Sequence, residues 1–282
     1  MKYLLIFITF TTSLFSWSQQ IYGSLSGGYL FSSQIEQPPS YIVNTIHQIS
    51  YPWFWREENF AFKSAVHADL SFGQMITDNI GYDLSGSYLK PQSVSDNSEY
   101  GKRILSGDFF QSSLKIVLNL PFKKFDLYSK IGVNMAFGKL NYYQTFLDNI
   151  PTTSQVGESI LTYQYEENVS LGFNGALGLN FKLNKHLSIF SEITFISQTY
   201  SPKKGEIIEF FDGTNQVNFA ESKPYYNQIE FGEESEWYYY NSVDNSVPQK
   251  LYKRSYALGG CGLTLGIKFI IWSKNKDDNE KI

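Results

Sequence analysis

The chain has few of the residues that build metal sites or disulfide bonds. It contains one cysteine, Cys261, and three histidines among 282 residues. A single cysteine excludes an intramolecular disulfide and is most simply a small apolar filler within a strand. The sequence has no Cys/His cluster with the spacing of a structural zinc site. We therefore expect no metal and no other cofactor.

Long apolar runs are also lacking beyond the first 18 residues. The segment Met1 to Ser18 carries Lys2, then an apolar core, then the small-x-small triplet Ser16-Trp17-Ser18, which predicts an export signal cleaved before Gln19. No later run of about 18 apolar residues exists, so no transmembrane helix is predicted. The formal net charge of −4 argues against a nucleic-acid partner.

Aromatic residues and glycine are abundant, whereas charge is scarce. Aromatic residues make up 17% of the chain and charged residues 18%, with 21 Gly and 21 Tyr, and the mean hydropathy is only −0.26. The apolar surface must therefore be distributed by alternation along strands, which is typical of exported β-barrels.

The last strand candidate, Gly262 to Trp272, shows this alternation most clearly. Leu263, Leu265, Ile267, Phe269 and Ile271 fall on one face, and the other face includes Gly262, Thr264, Gly266 and Lys268. A run of about 11 residues that ends on an aromatic residue has the length of a tilted strand crossing a bilayer.

Seven further segments show the same period of two. They are Ile21 to Ser32, Phe60 to Phe72, Ile80 to Lys90, Asp108 to Leu120, Phe125 to Lys139, Val169 to Phe181 and Leu187 to Thr199. Together with the last strand they predict an all-β fold, an eight-stranded antiparallel transmembrane barrel over residues 19–272, followed by a short periplasmic polar tail over 273–282.

The connections between these strands alternate between short and long. The short ones are Gly73 to Asn79, Pro121 to Lys124 and Lys182 to His186, and the long ones are Ser33 to Asn59, Pro91 to Gly107, Leu140 to Asn168 and Tyr200 to Lys253. Short periplasmic turns and long extracellular loops are the asymmetry of an outer-membrane barrel with both termini in the periplasm.

Aromatic residues are predicted to gather at both membrane interfaces. Those at the outer ends are Tyr29, Phe31, Phe60, Phe62, Tyr88, Phe137, Tyr142 and Tyr143; those at the inner ends are Phe72, Phe122, Phe125, Phe181, Phe269 and Trp272. Lys90 and Lys139, on the apolar face at the outer ends, are expected to reach toward lipid phosphates.

The pattern resembles that of the small eight-stranded outer-membrane β-barrels, the OmpA/OmpX-like proteins of the porin family. The segment Thr264 to Ile271 is similar to their assembly signal of polar-x-Gly-x-x-apolar-x-apolar, although ten residues follow Trp272 here. The resemblance implies outer-membrane lipid and the outer-membrane assembly machinery as partners. It says little about function, because such barrels serve many functions.

The polar faces predict an interior charge network. Four lysines, Lys63, Lys115, Lys130 and Lys268, oppose the four carboxylates Asp69, Asp83, Asp126 and Glu192, with His67 among them. An eight-stranded barrel is only wide enough for its own side chains. Balanced charges there favour a paired plug over a water-filled pore.

One segment has residue types found in catalytic sites. His67, Asp69 and Ser71 lie on one face of the second strand, but Asp is the middle residue and same-face neighbours are about 6.6 Å apart. A Ser-His-Asp triad needs the His between its partners. We interpret His67 as a member of the interior network and keep a hydrolase as the alternative.

The predicted outer loops concentrate residues that dominate binding surfaces. These are Trp53, Phe54 and Trp55 in the first loop, and Tyr225, Tyr226, Trp237, Tyr238, Tyr239 and Tyr240 in the last. Such residues stack on sugar rings and form hot spots, and the last loop is also acidic. They either bind a glycan, protein or cation, or pack the loops and extend the strands.

The sequence thus predicts a non-enzymatic outer-membrane barrel that serves surface binding, adhesion or envelope integrity through aromatic, acidic outer loops. Two alternatives stay open: a barrel hydrolase acting on lipid A or peptide through His67, and a soluble exported ligand-binding barrel.

Overall fold

The computed structural model describes residues 20–32, 41–43, 54–56, 62–98, 101–148, 157–211, 228–232, 246–252 and 255–273. These ranges form fifteen strands: β1 (Gln20–Ser32), β2 (Tyr41–Val43), β3 (Phe54–Arg56), β4 (Ser64–Met75), β5 (Ile80–Pro91), β6 (Val94–Ser98), β7 (Gly101–Pro121), β8 (Phe125–Asp148), β9 (Gly157–Lys182), β10 (Leu187–Tyr200), β11 (Lys204–Phe211), β12 (Gln228–Gly232), β13 (Gln249–Tyr252), β14 (Tyr256–Ala257) and β15 (Gly260–Ser273). Within these ranges, no helix has the length and apolar character needed to cross a membrane. The predicted export signal and most of the tail lie outside them.

Eight of the strands close into an antiparallel barrel. The hydrogen-bonded order is β1, β4, β5, β7, β8, β9, β10 and β15, and β15 pairs back with β1 from Gln20↔Ser273 to Ser32↔Gly260. These are the eight strands that the alternation predicted, so the fold class is confirmed.

Three tight turns join strands at one end of the barrel, which we call the turn end. They span Ile76 to Asn79, Phe122 to Lys124 and Leu183 to His186. Each is closed by backbone bonds, such as Phe122 N to Phe125 O at 2.9 Å, and the Asn184 side chain accepts bonds from the backbone of His186 and Leu187. The opposite end, the loop end, carries the long connections.

The outer surface of the barrel is an apolar belt. Alternate residues of every barrel strand point outward, and the large apolar ones among them are exposed, including Leu25, Leu70, Ile131, Phe173 and Leu265 at 58 to 68%. Such a surface is stable only against lipid. The alternative of a soluble ligand-binding barrel is therefore wrong.

Aromatic clusters lie at both margins of this belt. At the loop end, the Phe110 ring stacks on Phe137 with 5.9 Å between centroids and lies tilted against Tyr88 at 5.3 Å. At the turn end, the Phe122 and Phe125 rings are 4.7 Å apart. Two predicted members do not face lipid, because Phe62 and Tyr142 are buried at 2% and 6% exposure. Phe60 lies outside the described ranges.

At the loop end, several strands continue well beyond the belt. The connection from Leu140 to Asn168, predicted as a loop, is mostly strand, since β8 and β9 pair as far as Asp148↔Gly157. β6 continues the line of β5 along β7, and β11 continues that of β10 along β9. We call residues 94–98, 101–107, 140–148, 157–166 and 204–211 the wall. Nine residues of β8 correspond to about 30 Å along the strand.

Candidate functional site

The barrel interior near the turn end contains a network of charged and hydroxyl side chains. It includes His67, Asp69, Asp83, Lys115, Asp126, Lys130, Glu192 and Lys268, which all lie at inward positions of their strands. Lys63 does not belong to it: this residue precedes β4 and is exposed. The sequence analysis placed Lys182 in a turn, but this residue does belong to the network, because it pairs with Asp126 at 2.6 Å.

Lys130 is at the centre of the network. Its ammonium lies 2.8 Å from Glu192 and 3.7 Å from Asp83, and all three side chains are buried or nearly so. The Tyr128 hydroxyl donates to Glu192 at 2.8 Å, whereas Asp83 accepts from Tyr22 and Ser71 at 3.1 and 3.2 Å. The buried carboxylates are therefore both charge-paired and hydrogen-bonded, as burial requires.

At the turn end a small cavity opens among the network residues. It has a volume of about 30 Å³, and Tyr22, Asp126, Asn180 and Lys268 are among its lining residues. The Lys268 ammonium lies 3.7 Å from the centroid of the Tyr22 ring, a cation–π contact, and Asn180 donates to Asp126 at 3.2 Å. The volume suits one or two waters and no larger ligand.

His67 lies near the middle of the barrel and is bonded on both ring nitrogens. Nδ1 is 2.6 Å from Asp69 Oδ2, and Nε2 is 3.2 Å from Thr264 Oγ1 across the barrel seam. Gly28 allows this crossing, because a Cβ there would lie 2.5 Å from Nε2 and 2.8 Å from the threonine oxygen. If Nδ1 donates to the carboxylate, Nε2 accepts from the Thr264 hydroxyl.

This arrangement differs from the one expected from the spacing. The His67 and Asp69 side chains converge despite their separation along the backbone, and Ser71 bonds to Ser24 and Asp83 instead of His67. The order Asp69, His67, Thr264 has the connectivity of a catalytic triad. However, Thr264 is only 2% exposed and His67 8%, so a substrate has no path to the hydroxyl in the conformation described.

Above His67, toward the loop end, the interior becomes apolar. Leu30, Leu89, Leu105, Phe109 and Leu140 are at most 1% exposed and form one cluster with Tyr142, Tyr163, Tyr165, Tyr200, Phe62 and others. Phe109 packs edge-on against Tyr200 at 5.0 Å, and Tyr165 against Phe231 at 5.1 Å. This cluster fills the lumen where strands leave the belt. The sequence analysis missed it.

A sequence signal for the cluster exists in the phase of the alternation. Along β7 the apolar residues fall at even positions, such as Phe110 and Leu114, within the belt and at odd positions, Leu105 and Phe109, beyond it. β9 contains a bulge opposite Ala136 and Gly138 of β8. Because of this bulge, the odd-numbered residues of β9 point outward within the belt and inward beyond it. Reversal of the apolar face marks the point where a strand leaves lipid.

Part of the outward side of the wall is polar. Asn141, Gln164 and Glu206 lie side by side on three neighbouring strands, and the Gln164 amide donates to Asn141 at 3.2 Å. Two residues away along β9, the Thr162 hydroxyl donates to Glu209 at 3.3 Å. In the described ranges no group of three or more His, Cys, Asp or Glu side chains could hold a metal ion.

The aromatic residues predicted to bind ligands lie almost entirely outside the described ranges. This applies to Trp53, Tyr225, Tyr226, Trp237, Tyr238, Tyr239 and Tyr240. Phe54 and Trp55 form part of the short strand β3, where Phe54 pairs with Val43 of β2. Their binding role stays a prediction.

Comparison with known proteins yields structural likeness alone. No protein-family model and no curated protein matches the chain. Among solved structures it is similar to Ail, the attachment invasion locus protein of Yersinia pestis, in complex with the heparin analogue sucrose octasulfate, at 11% identity and a TM-score of 0.34 over 89% of this chain and 99% of Ail. A second Ail structure gives 12% identity and a TM-score of 0.31 over the same shares. By its closed ring of strands and its apolar belt, this chain has the fold of the small eight-stranded outer-membrane β-barrels.

Proposed function

We propose that the protein is a non-enzymatic adhesin-type protein of the outer membrane that binds a glycan or protein ligand at its loop end. The turn end and both termini face the periplasm, and the wall stands outside the cell. The observation that carries this proposal is the wall itself, because barrel strands prolonged far beyond the belt hold the loops at a distance from the lipid surface.

The filled interior supports a role outside the lumen. Ion pairs around Lys130 occupy the half near the turn end, and Leu89, Phe109 and Leu140 fill the half near the loop end. A barrel packed in this way offers a rigid support and little room for a solute to pass. Envelope integrity is the second role that a sealed barrel serves, and a test of surface binding separates the two.

A strand that pairs with the wall adjoins the aromatic segments in sequence. Tyr225 and Tyr226 lie three and two residues before β12, and Trp237 to Tyr240 lie five to eight residues after it. β12 is paired with β11 at Lys204↔Glu230, which ties these segments to the wall. Tyrosine and tryptophan offer large contact area at low entropic cost, so they suit a binding surface.

The proposal is tested by replacing Trp237, Tyr238, Tyr239 and Tyr240 with serine in the full chain. Fluorescent outer-membrane vesicles that display each variant are applied to an array of immobilised oligosaccharides and to an array of immobilised proteins. Wild-type vesicles should bind above vesicles without the protein, and the serine variant should bind at least about tenfold less, because hot-spot aromatic residues carry most of an interface.

The matched control is Phe122→Ser, which removes an exposed aromatic residue at the turn end. It should bind as the wild type does. Vesicles of the wild type that bind neither surface above background, or a serine variant that binds equally well, contradict the proposal. Activity toward lipid A or a peptide that disappears in His67→Ala would instead support the hydrolase.

A further inference from the structure

Two of the three turns at the turn end carry lysines that lie close together. Lys123 and Lys124 belong to the turn between β7 and β8, and Lys182 and Lys185 lie at the turn between β9 and β10; all four are exposed. A backbone bond from Lys182 N to Lys124 O at 3.2 Å joins the two turns. We call these four residues the lysine cluster. They form one basic surface.

The charge of the lysine cluster is mostly not offset by described carboxylates. Lys182 pairs with Asp126 at 2.6 Å. Lys123, Lys124 and Lys185 form no ion pair with any residue in the described ranges. Because like charges repel one another, this surface favours an anionic partner.

The third turn at the turn end has the opposite charge. Residues 76–79, between β4 and β5, include the exposed carboxylate Asp78 and contain no lysine or arginine. The turn end therefore has a basic side at β8, β9 and β10 and an acidic turn on the other side of β1.

The chain that follows β15 carries carboxylates in a group. Asp277, Asp278 and Glu280 lie within four residues of one another, and the lysines of this segment come before and after them. These residues lie outside the described ranges, but β15, to which they are joined, ends at Ser273 at the turn end.

The register places the end of β15 beside the lysine cluster. β15 pairs with β10, and Ile270 N donates to His186 O at 2.8 Å. The turn that contains Lys185 is therefore one strand spacing, about 5 Å, from the end of β15, and Lys124, next to β8, is about three spacings, or 15 Å, away.

The length of the segment matches these separations. The four residues from Ser273 to Asp277 span at most about 14 Å, and the seven to Glu280 at most about 25 Å. On the other side, β1 separates β15 from β4, so the acidic turn with Asp78 begins about 10 Å away. Both sides are within reach, and charge alone distinguishes them.

We propose that residues 277–280 dock on the lysine cluster, so that the tail forms an intramolecular strap along the side of the turn end formed by β8, β9 and β10. Carboxylates that are grouped in sequence are complementary to grouped ammonium ions, and the covalent link gives them a high effective concentration at this surface. The docked tail offsets the charge of the lysine cluster and keeps other polyanions from it. This contact is independent of any ligand at the loop end.

The test places a nitroxide spin label on the tail of the full chain in phosphatidylcholine nanodiscs. Cys261→Ser removes the native thiol, and Asn279→Cys carries the label. NMR measures the broadening that the label causes at the backbone amides of Lys185 and Asp78. At low ionic strength the Lys185 amide should be broadened at least about threefold more, because exposed ion pairs give a modest preference. In about 1 M salt, where the Debye length is about 3 Å, the two amides should be broadened equally.

Two variants identify the lysines responsible. Lys124→Gln/Lys185→Gln should remove most of the preference, because two of the three unpaired charges are lost. The matched control Lys102→Gln/Lys203→Gln removes two exposed lysines at the loop end and should keep it. The gel shift between heated and unheated protein shows that each variant is folded.

Four results overturn the proposal. The first is equal broadening at both turns in the wild type at low ionic strength, and the second is the same preference in the variant that lacks the two cluster lysines. A preference that persists in high salt would show an apolar contact instead of a charge contact. A preference that disappears when phosphatidylglycerol is added to the nanodiscs would show that lipid occupies the lysine cluster.

Discussion

The two halves of the barrel interior are held together by different forces. Near the turn end, the space inside the belt contains Lys130, Glu192 and Asp83 with their hydroxyl partners, whereas near the loop end the same strands enclose Leu105, Phe109 and Leu140. The medium that surrounds the strands at each level explains the difference. Where lipid surrounds the strands, apolar side chains gain nothing by turning inward, but where water surrounds them the hydrophobic effect drives them in.

The comparison predicts its largest effect at Lys130. Lys130→Met removes the cation that neutralises Glu192 and Asp83, so two buried carboxylates lose their partner, and we expect a loss of about 4 kcal/mol in unfolding free energy. Urea titration in lipid vesicles, followed by tryptophan fluorescence, measures it.

The double variant Lys130→Met/Glu192→Gln controls for lost packing. It should recover part of the loss, because only Asp83 then lacks its cation. A single variant that costs less than about 1 kcal/mol would mean that the charges near the turn end are solvated rather than sealed.

A smaller effect is expected in the apolar half. Leu140→Ala leaves a cavity in the cluster and should cost about 3 kcal/mol, through lost burial and lost contacts. The gel shift between heated and unheated protein should persist, because the membrane-spanning ladder of hydrogen bonds stays intact.

The matched control is Leu265→Ala, at a lipid-facing position that is 66% exposed. Lipid chains refill the space there, so only the transfer of the lost methyl groups from water is forfeited and the cost should be smaller than at Leu140. Equal costs for the two leucines would show that the loop-end cluster is no tighter than the lipid contact.

The smallest effect concerns a hydroxyl pair of the polar half. The Ser85 and Ser113 oxygens are 2.6 Å apart and buried, and Ser113→Ala leaves one of them unpaired, at about 1 kcal/mol. Adding Ser85→Ala should restore most of that stability, because neither hydroxyl then needs a partner. The same urea titration measures both variants, and a double variant less stable than the single one would contradict this account.

The eight strands were predictable because every membrane-spanning strand alternates between lipid-facing and inward residues. Period-two alternation located β5 and β10 within a residue or two at each end. The wall was not found, since Leu140 to Asn168 contains no lipid-facing stretch and its apolar residues change face. Phe62 and Tyr142 were predicted to lie at the lipid interface for the same reason. The sequence alone does not distinguish an aromatic residue that points inward beyond the belt from one that points outward at the margin of the belt.

The interior network was partly predictable. The alternation predicted that the side chains of Asp83, Lys115, Lys130, Glu192 and Lys268 all point into the barrel. It could not predict which of them contact one another. Lys182 occupies the last inward position of β9, one residue beyond the predicted segment Val169 to Phe181. The bond between His67 and Thr264 joins residues far apart in sequence through a gap at Gly28, and only the register of three strands reveals it.

That bond also bears on the order in which the barrel is completed. His67 is made early in the chain and Thr264 is 197 residues later, on the strand whose pairing with β1 closes the ring. Contacts over such a separation form after local hairpins, because a long loop must be closed first. A chain that has not yet added β15 leaves the Nε2 of His67 without this partner. The bond therefore distinguishes a finished barrel from one that is still open at its seam.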